Sequence, residues 1–196
     1  MIRQEQAQAT RAAIVTAARE LWAQRGFFAT STSDIVTAAG VGTRGAFYAH
    51  FADREQLFLA VFDDVHQRMA PALDAAVAAT GDPLIDLQTV LLSFLDVVVE
   101  APDVRALLVD GPAVFGPARW HQAEQARGLV PIEQRVILAI EAGVIDDQPV
   151  RPLAMILLML VNDTALMIAT AEDSKIARQD AGAALCRLIS GLRSDR

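Results

Sequence analysis

Two short stretches of helical periodicity, set on either side of Ala39-Gly40-Val41, constrain the fold of this chain more than any other feature. They lie within residues 26–54, GFFATSTSDIVTAAGVGTRGAFYAHFADR. Upstream, Ile14, Ala17, Ala18, Leu21 and Trp22 recur at the spacing of one helix face while Arg11, Arg19, Glu20 and Arg25 fall elsewhere. That pattern predicts an amphipathic helix over 11–25, stopped by Gly26. Ser31 followed by Asp34 is a variant of the box in which an N-cap hydroxyl and an acid three residues on satisfy each other's backbone N–H groups. A second helix is predicted from about 32 to 39. Gly40 can take the left-handed conformation that turns the chain sharply, and Val41 can lodge between the helices and set their angle. Phe47 and Phe51 are spaced to pack beneath a third short helix as core aromatics, facing Ile35 and Leu21. The polar residues of that helix are left outward.

A helix can enter the major groove of DNA only if its leading residues are small or able to hydrogen-bond base edges. Hydroxyl, imidazole and cationic groups must flank it to grip phosphates. The segment supplies Thr43, Arg44, Gly45 and Tyr48 in the third helix, Ser31 and Ser33 in the second, and His50 and Arg54 just beyond. These residues form the candidate DNA-contacting set. Tyr48 stays open to two roles, core packing and phosphate contact.

The stretch from Arg11 to about Phe62, and above all AGVGTRGAFYAHFADREQLF over 39–58, resembles the N-terminal domain of the TetR (tetracycline-repressor-like) family of transcriptional regulators. The resemblance implies an all-α protein, with a three-helix helix-turn-helix DNA-binding domain over 1–54 and a larger helical ligand-binding and dimerisation domain over 55–196. It also implies that Thr43, Arg44 and Gly45 face base edges or the nearby backbone, and that Tyr48, His50 and Arg54 hold phosphates. Two positions depart from the family pattern: Gly42 stands where a capping Ser is frequent, and Arg54 where Lys is usual. Glycine caps a helix at a cost of only about a few tenths of a kcal/mol relative to Ser, and Arg keeps the positive charge.

The net charge of −7 at first opposes a nucleic-acid partner, but its distribution removes the objection. Through Arg54 the arginines at 3, 11, 19, 25, 44 and 54 outnumber the acids Glu5, Glu20, Asp34 and Asp53, leaving +2; the remainder carries −9. Positive charge near the reading helix and an acidic body orient DNA to one face. Few released counterions imply weak non-specific binding.

Beyond residue 54 the pattern is helical throughout, with no alternating strand signal. Asp53 with Gln56 opens a long helix carrying Leu57, Val61, Val65 and Met69 on one face and closing near Pro71 or a little after. Further helices are predicted at roughly 83–100, 104–110, 117–127, 131–143, 150–171 and 176–192, several of them starting at a proline. The run DGPAVFGP from Asp110 is rich in helix breakers and is expected to bend.

Residues 153–171, LAMILLMLVNDTALMIATA, are long and apolar enough to suggest a membrane span. Asn162 and Asp163 stand at their middle with no flanking basic cluster, so a helix buried on all sides between a core and a partner subunit is expected instead. With the Ala- and Leu-rich segment that follows, they resemble the last two helices of the TetR family, which build a four-helix dimer interface. Asp163, Ala181, Ala184, Leu185, Leu188 and Leu192 are its candidates here. A homodimer is also expected on physical grounds, because one reading helix gains little specificity without a twofold partner on a palindromic operator.

The hydrophobic fraction of 53% exceeds that of an average globular protein, leaving material for a pocket. Candidate effector contacts are Phe62, Phe94, Asp110, Trp120, His121, Met155, Met159, Asn162 and Met167, which point to a small and mostly apolar ligand. Each also fits plain core packing, and Asn162 and Asp163 could equally set the register of the dimer seam. The polar first ten residues carry no secretory signal, so a cytoplasmic protein is expected. Cys186, among Leu185, Leu188 and Ile189, reads as a small buried hydrophobe.

No nucleophile elbow, phosphate-cradling loop or paired cysteines occur, so neither catalysis nor a cofactor is expected. The alternative is a helical metal-binding or enzymatic bundle using Asp63 with His66 and His121 with Glu124. That would require the pairs to converge on one cavity, and as solvated faces they imply no metal.

Overall fold

The computed structural model describes residues 2–77 and 80–194, with side chains from Gln4 onward. Among the described residues the chain forms nine helices: α1 (Ile2–Arg25), α2 (Thr32–Ala38), α3 (Arg44–Tyr48), α4 (Arg54–Ala76), α5 (Pro83–Glu100), α6 (Pro102–Phe115), α7 (Pro117–Glu141), α8 (Val150–Thr170) and α9 (Ser174–Ser190). The fold is all-α; the one β feature among them is an isolated antiparallel bridge between Ile145 and Arg193.

The amino-terminal head forms as its local signals dictate. The Ser31 hydroxyl accepts from the Asp34 N–H at 3.2 Å while the Asp34 carboxylate accepts from the Ser31 N–H at 2.8 Å, closing the box. Gly40 turns the chain at φ +66°, where a side chain would be strained. Val41 packs half-buried against the core, and Phe47 and Phe51 lie beneath α3 with Ile35 and Trp22 in the same cluster. The helix cap differs from expectation. Thr43, not Gly42, is the N-cap of α3, its hydroxyl accepting from the Ala46 N–H at 3.3 Å, and Gly42 supplies a second left-handed turn at φ +81°.

Three expected boundaries move. α1 starts at Ile2 rather than 11, because the Gln- and Ala-rich residues before it favour a helix and nothing caps it later. The expected bend at Asp110 is instead the last part of α6. Gly111 is helical, and the ring of Trp120 lies 2.6 Å from where its Cβ would stand, an approach that glycine permits. The break expected between 127 and 131 is absent: α7 runs straight through Pro131, carried by Leu129, Ile132 and Val136 buried on its inner face. A proline inside a helix costs about 3 kcal/mol, which burial of three large aliphatics at roughly 1.5–3 kcal/mol each outweighs.

Tertiary packing is organised around α8. It lies against α5, α6, α7 and α9, with Leu153, Ala154, Leu157, Leu158, Val161, Ala165 and Ile168 inward. It is long and apolar enough to cross a membrane, yet this buried stripe is a core face. The expectation of burial on all sides does not hold within one chain: Ile156 (61%), Met159 (47%) and Met167 (53%) are exposed on its outer face. The core is continuous from α1 to α9. α4 and α6 are the elements shared between head and body.

Candidate nucleic-acid interface and body cavity

Thr43, Arg44, Gly45 and Tyr48 all lie exposed on one end of the head, Tyr48 at 58%. The Arg44 guanidinium donates from Nε to the Ser33 hydroxyl at 2.8 Å, bridging α3 to α2 across that surface. Ser31 is exposed with its hydroxyl occupied by the cap, and Ser33 and His50 are half-buried. Tyr48 stacks edge-on against buried Phe47 at 5.2 Å, which holds its ring while its hydroxyl end stays in solvent. At this exposure Tyr48 is not a core residue, which leaves the phosphate-contact role.

Arg54 is placed differently from the others. Its guanidinium lies 4.0 Å from the centroid of Phe27 and donates to the Phe27 carbonyl, half-buried at the start of α4. Much of the positive charge counted in the head is also engaged. Arg25 pairs with Asp34 at 3.3 Å, and Arg19, 16% exposed, pairs with Asp103 of α6 at 3.0 Å and Asp64 of α4 at 3.5 Å. Arg11 and Arg44 remain exposed.

The body contains a cleft of about 440 Å³ between α4, α5, α7 and α8, with an inner chamber at its end. Of the residues singled out in the sequence, Phe62 lines the chamber, and Phe94 and Asn162 line both chamber and cleft. The rest lie elsewhere. Asp110 faces the head, its carboxylate accepting from the Phe27 N–H at 2.8 Å. Trp120 is buried behind the chamber against Phe62, Phe115 and Gly111. His121 and Met159 border a small groove between α7 and α8 that shares Glu124, Leu158 and Asn162 with the chamber. Met155 packs half-buried against the core, and Met167 faces solvent.

Polar residues that the sequence did not single out as ligand contacts line the cavity instead. Glu124 is the one acidic or basic side chain among the described residues that is buried, at 7% exposure, and it lines the inner chamber. Burial, reinforced by the nearby Asp163 charge, pushes its carboxyl up to about 7 against hydrogen bonds from Trp120 and Asn162. His66 meets Phe62 edge-on at 4.5 Å; burial, with the Arg127 charge second, lowers its pKa to about 4 and keeps it neutral. Arg127 bonds Asp63 at 2.6 Å and lies over the Phe62 ring. The only available signal was an acid at a position of α7 where the period calls for an apolar residue. Of the pairs Asp63–His66 and His121–Glu124, His66 and Glu124 both line the inner chamber, but no group of three or more His, Cys, Asp or Glu that could hold a metal ion forms among the described residues.

The candidate dimer residues divide. Leu185 is buried within the chain, Ala181 and Leu192 are half-buried against its core, and Asp163, Ala184 and Leu188 are exposed, Leu188 at 61%. Cys186 is half-buried, with a free thiol.

Comparison with known proteins follows the same division of the chain. The family model described as bacterial regulatory proteins, tetR family, matches residues 14–61, and that described as tetracyclin repressor-like, C-terminal domain, matches residues 86–192. The HTH-type transcriptional regulator AcrR of Shigella flexneri is 35% identical over 105 residues, 53% of this chain and 48% of that protein. TtgR of Pseudomonas putida is 37% identical over 99 residues, 50% and 47%. The matched stretch spans about half the length of these two relatives. A crystal structure of a TetR-family transcriptional regulator from Pectobacterium atrosepticum superposes with a TM-score of 0.83 at 26% identity, covering 97% of each chain.

Proposed function

We propose, from the premise that this chain belongs to the TetR family of bacterial transcriptional regulators, that it is a cytoplasmic homodimeric repressor released from its operator by a small molecule. The observation that carries this reading is the exposed, preorganised face in which Thr43 caps α3 and Arg44 is steered by Ser33. Capping leaves the leading turn of α3 rigid, so that little side-chain or backbone entropy is lost when it enters a major groove. Arg44 reads a base, Thr43 and Gly45 allow close approach, and Ser31, Ser33, Tyr48 and His50 hold phosphates. Arg54 serves the phosphates indirectly, by holding the Phe27 loop.

Two copies must present these helices one DNA turn apart, roughly 34–36 Å. The bare apolar stripe of Ile156, Met159 and Met167 on α8, with Ile176 and Leu188 on α9, supports a four-helix seam between copies in which Asp163 lies near the middle. An effector filling the cleft and its inner chamber presses on α4 and α6, which also hold the head, α4 through Arg19–Asp64 and α6 through Arg19–Asp103 and Asp110–Phe27. The resulting change in helix separation weakens operator binding, for which a coupling of about 1–3 kcal/mol suffices.

Selection of bound duplexes from a random pool at stated salt tests the reading. A palindromic consensus with half-sites one turn apart is expected; absence of any sequence preference at low ionic strength rules it out.

A further inference from the structure

We infer that the cavity selects an aromatic or apolar molecule bearing an ammonium group, with the Glu124 carboxylate as its counter-ion. Only the description of that molecule as an effector rests on the regulator reading above. Glu124 lines an inner chamber whose other walls are apolar apart from His66 and Asn162, and which shares His66, Met69, Phe94 and Leu158 with the more polar cleft; no arginine or lysine lines the chamber among the described residues. The two cations lining the cleft are neutralised locally: Arg127 by Asp63 at 2.6 Å, and Arg135 by Asp74 at 2.9 Å.

The surrounding charges favour a cation. α4 contributes the paired Asp63 and the neutral His66; α7 contributes Arg127 and, on the outer side, exposed His121; α8 contributes Asp163, which adds negative potential. α5 and α6 present only apolar walls to the chamber, Phe94 among them. An anionic ligand would meet net negative potential with no free donor cation. A neutral one would leave the buried carboxylate with only the hydrogen bonds of Trp120 and Asn162 to offset its desolvation. An ammonium supplies that compensation beside the aromatic wall contributed by Phe94. The cleft volume lies within the range of small-molecule sites.

Because burial raises the Glu124 carboxyl to about 7, a cation bound beside it favours the carboxylate and releases protons near neutral pH. The test is calorimetric titration of the protein with 4-phenylbutylamine, 4-phenylbutanol and 4-phenylbutyrate, at pH 7 in two buffers of different ionisation enthalpy. The amine is expected to bind at least tenfold more tightly than the alcohol and to release protons. Glu124→Gln is expected to lose that tenfold preference and the proton release while leaving the alcohol's affinity within about threefold. Equal binding of amine and alcohol, an amine affinity unchanged in Glu124→Gln, or no binding of any probe overturns the inference. Should Glu124→Gln not fold, absence of proton release from the wild-type protein overturns it equally. Operator affinity measured alongside separates the two readings: Glu124-dependent amine binding without effect on DNA sustains this inference and removes the effector switch.

Discussion

Arg44 and Arg54 are ten residues apart and both cationic, yet they are built for different work. Arg44 is exposed and touches only Ser33, so Arg44→Ala is expected to leave thermal stability unchanged. It should weaken operator binding by about 1–3 kcal/mol and relax discrimination at one base pair, as read by fluorescence anisotropy on permuted sites. Arg54 stacks on Phe27 and bonds its carbonyl, so Arg54→Ala should lower the melting temperature and weaken all duplexes alike. A melting temperature unaffected by Arg54→Ala would show that its contacts to Phe27 contribute nothing. The buried pair in the body makes a pH prediction. Glu124, raised by burial, costs stability as pH rises from its unfolded value near 4.5 to about 7, on the order of 3 kcal/mol in all. His66, lowered by burial, costs stability as pH falls from 6.5 to about 4. The two slopes oppose each other between about 4.5 and 6.5. Glu124→Gln should therefore expose a stability that rises with pH across that window and exceeds wild type at pH 8, measured by urea unfolding.

Among the elements, α6 is where reading by local rules and the observed fold part most clearly. Asp110, Gly111 and Pro112 in succession carry every local signal of a bend, yet the helix continues to Phe115. The cause lies outside the element: the Trp120 ring fills the space beside Gly111, and Asp110 is held by the Phe27 N–H of the head. Gly111→Ala would put a methyl into that ring and should destabilise by roughly 1–3 kcal/mol, or more where the ring cannot shift. Asp110→Ala leaves a half-buried N–H without its partner, with an expected loss of about 1–3 kcal/mol. Because that bond joins body to head, the second variant should also blunt the response of DNA binding to a ligand, measured as the ratio of operator affinities with and without it. An unchanged ratio would remove α6 from the coupling. Pro131 in α7 repeats the lesson, its local penalty overridden by the aliphatic residues buried around it.

At the scale of the molecule, the outer faces of α8 and α9 and the charge of the head determine behaviour in solution. Met159→Glu together with Leu188→Glu places carboxylates on exposed apolar positions, 47% and 61% accessible in the single chain, and should yield folded monomers by sedimentation. Loss of the second half-site contact should then reduce operator affinity by far more than either helix contributes to stability. Unaltered dimers would locate the seam elsewhere. Arg19 and Arg25 are held in ion pairs, which leaves fewer cations to displace counterions than the sequence count implies. A shallow dependence of log affinity on log salt is expected.

What the sequence determined by itself is everything whose cause lies within a few residues. The Ser31–Asp34 box, the Gly40 turn, the Asp53 cap and the period of Phe47 and Phe51 place the reading face without help from the body. The tertiary structure alone decided what depends on distant partners. It carried α6 and α7 through their breakers, drew Arg19, Arg54 and Asp110 into the joint between head and body, and lined the cavity with Glu124 and His66 where Asp110, His121 and Met159 were expected. Helix periodicity shows which face of each helix turns inward, but two inward faces meet in a cavity or a packed core according to how the helices cross. Crossing is settled by side chains that are neighbours only in space.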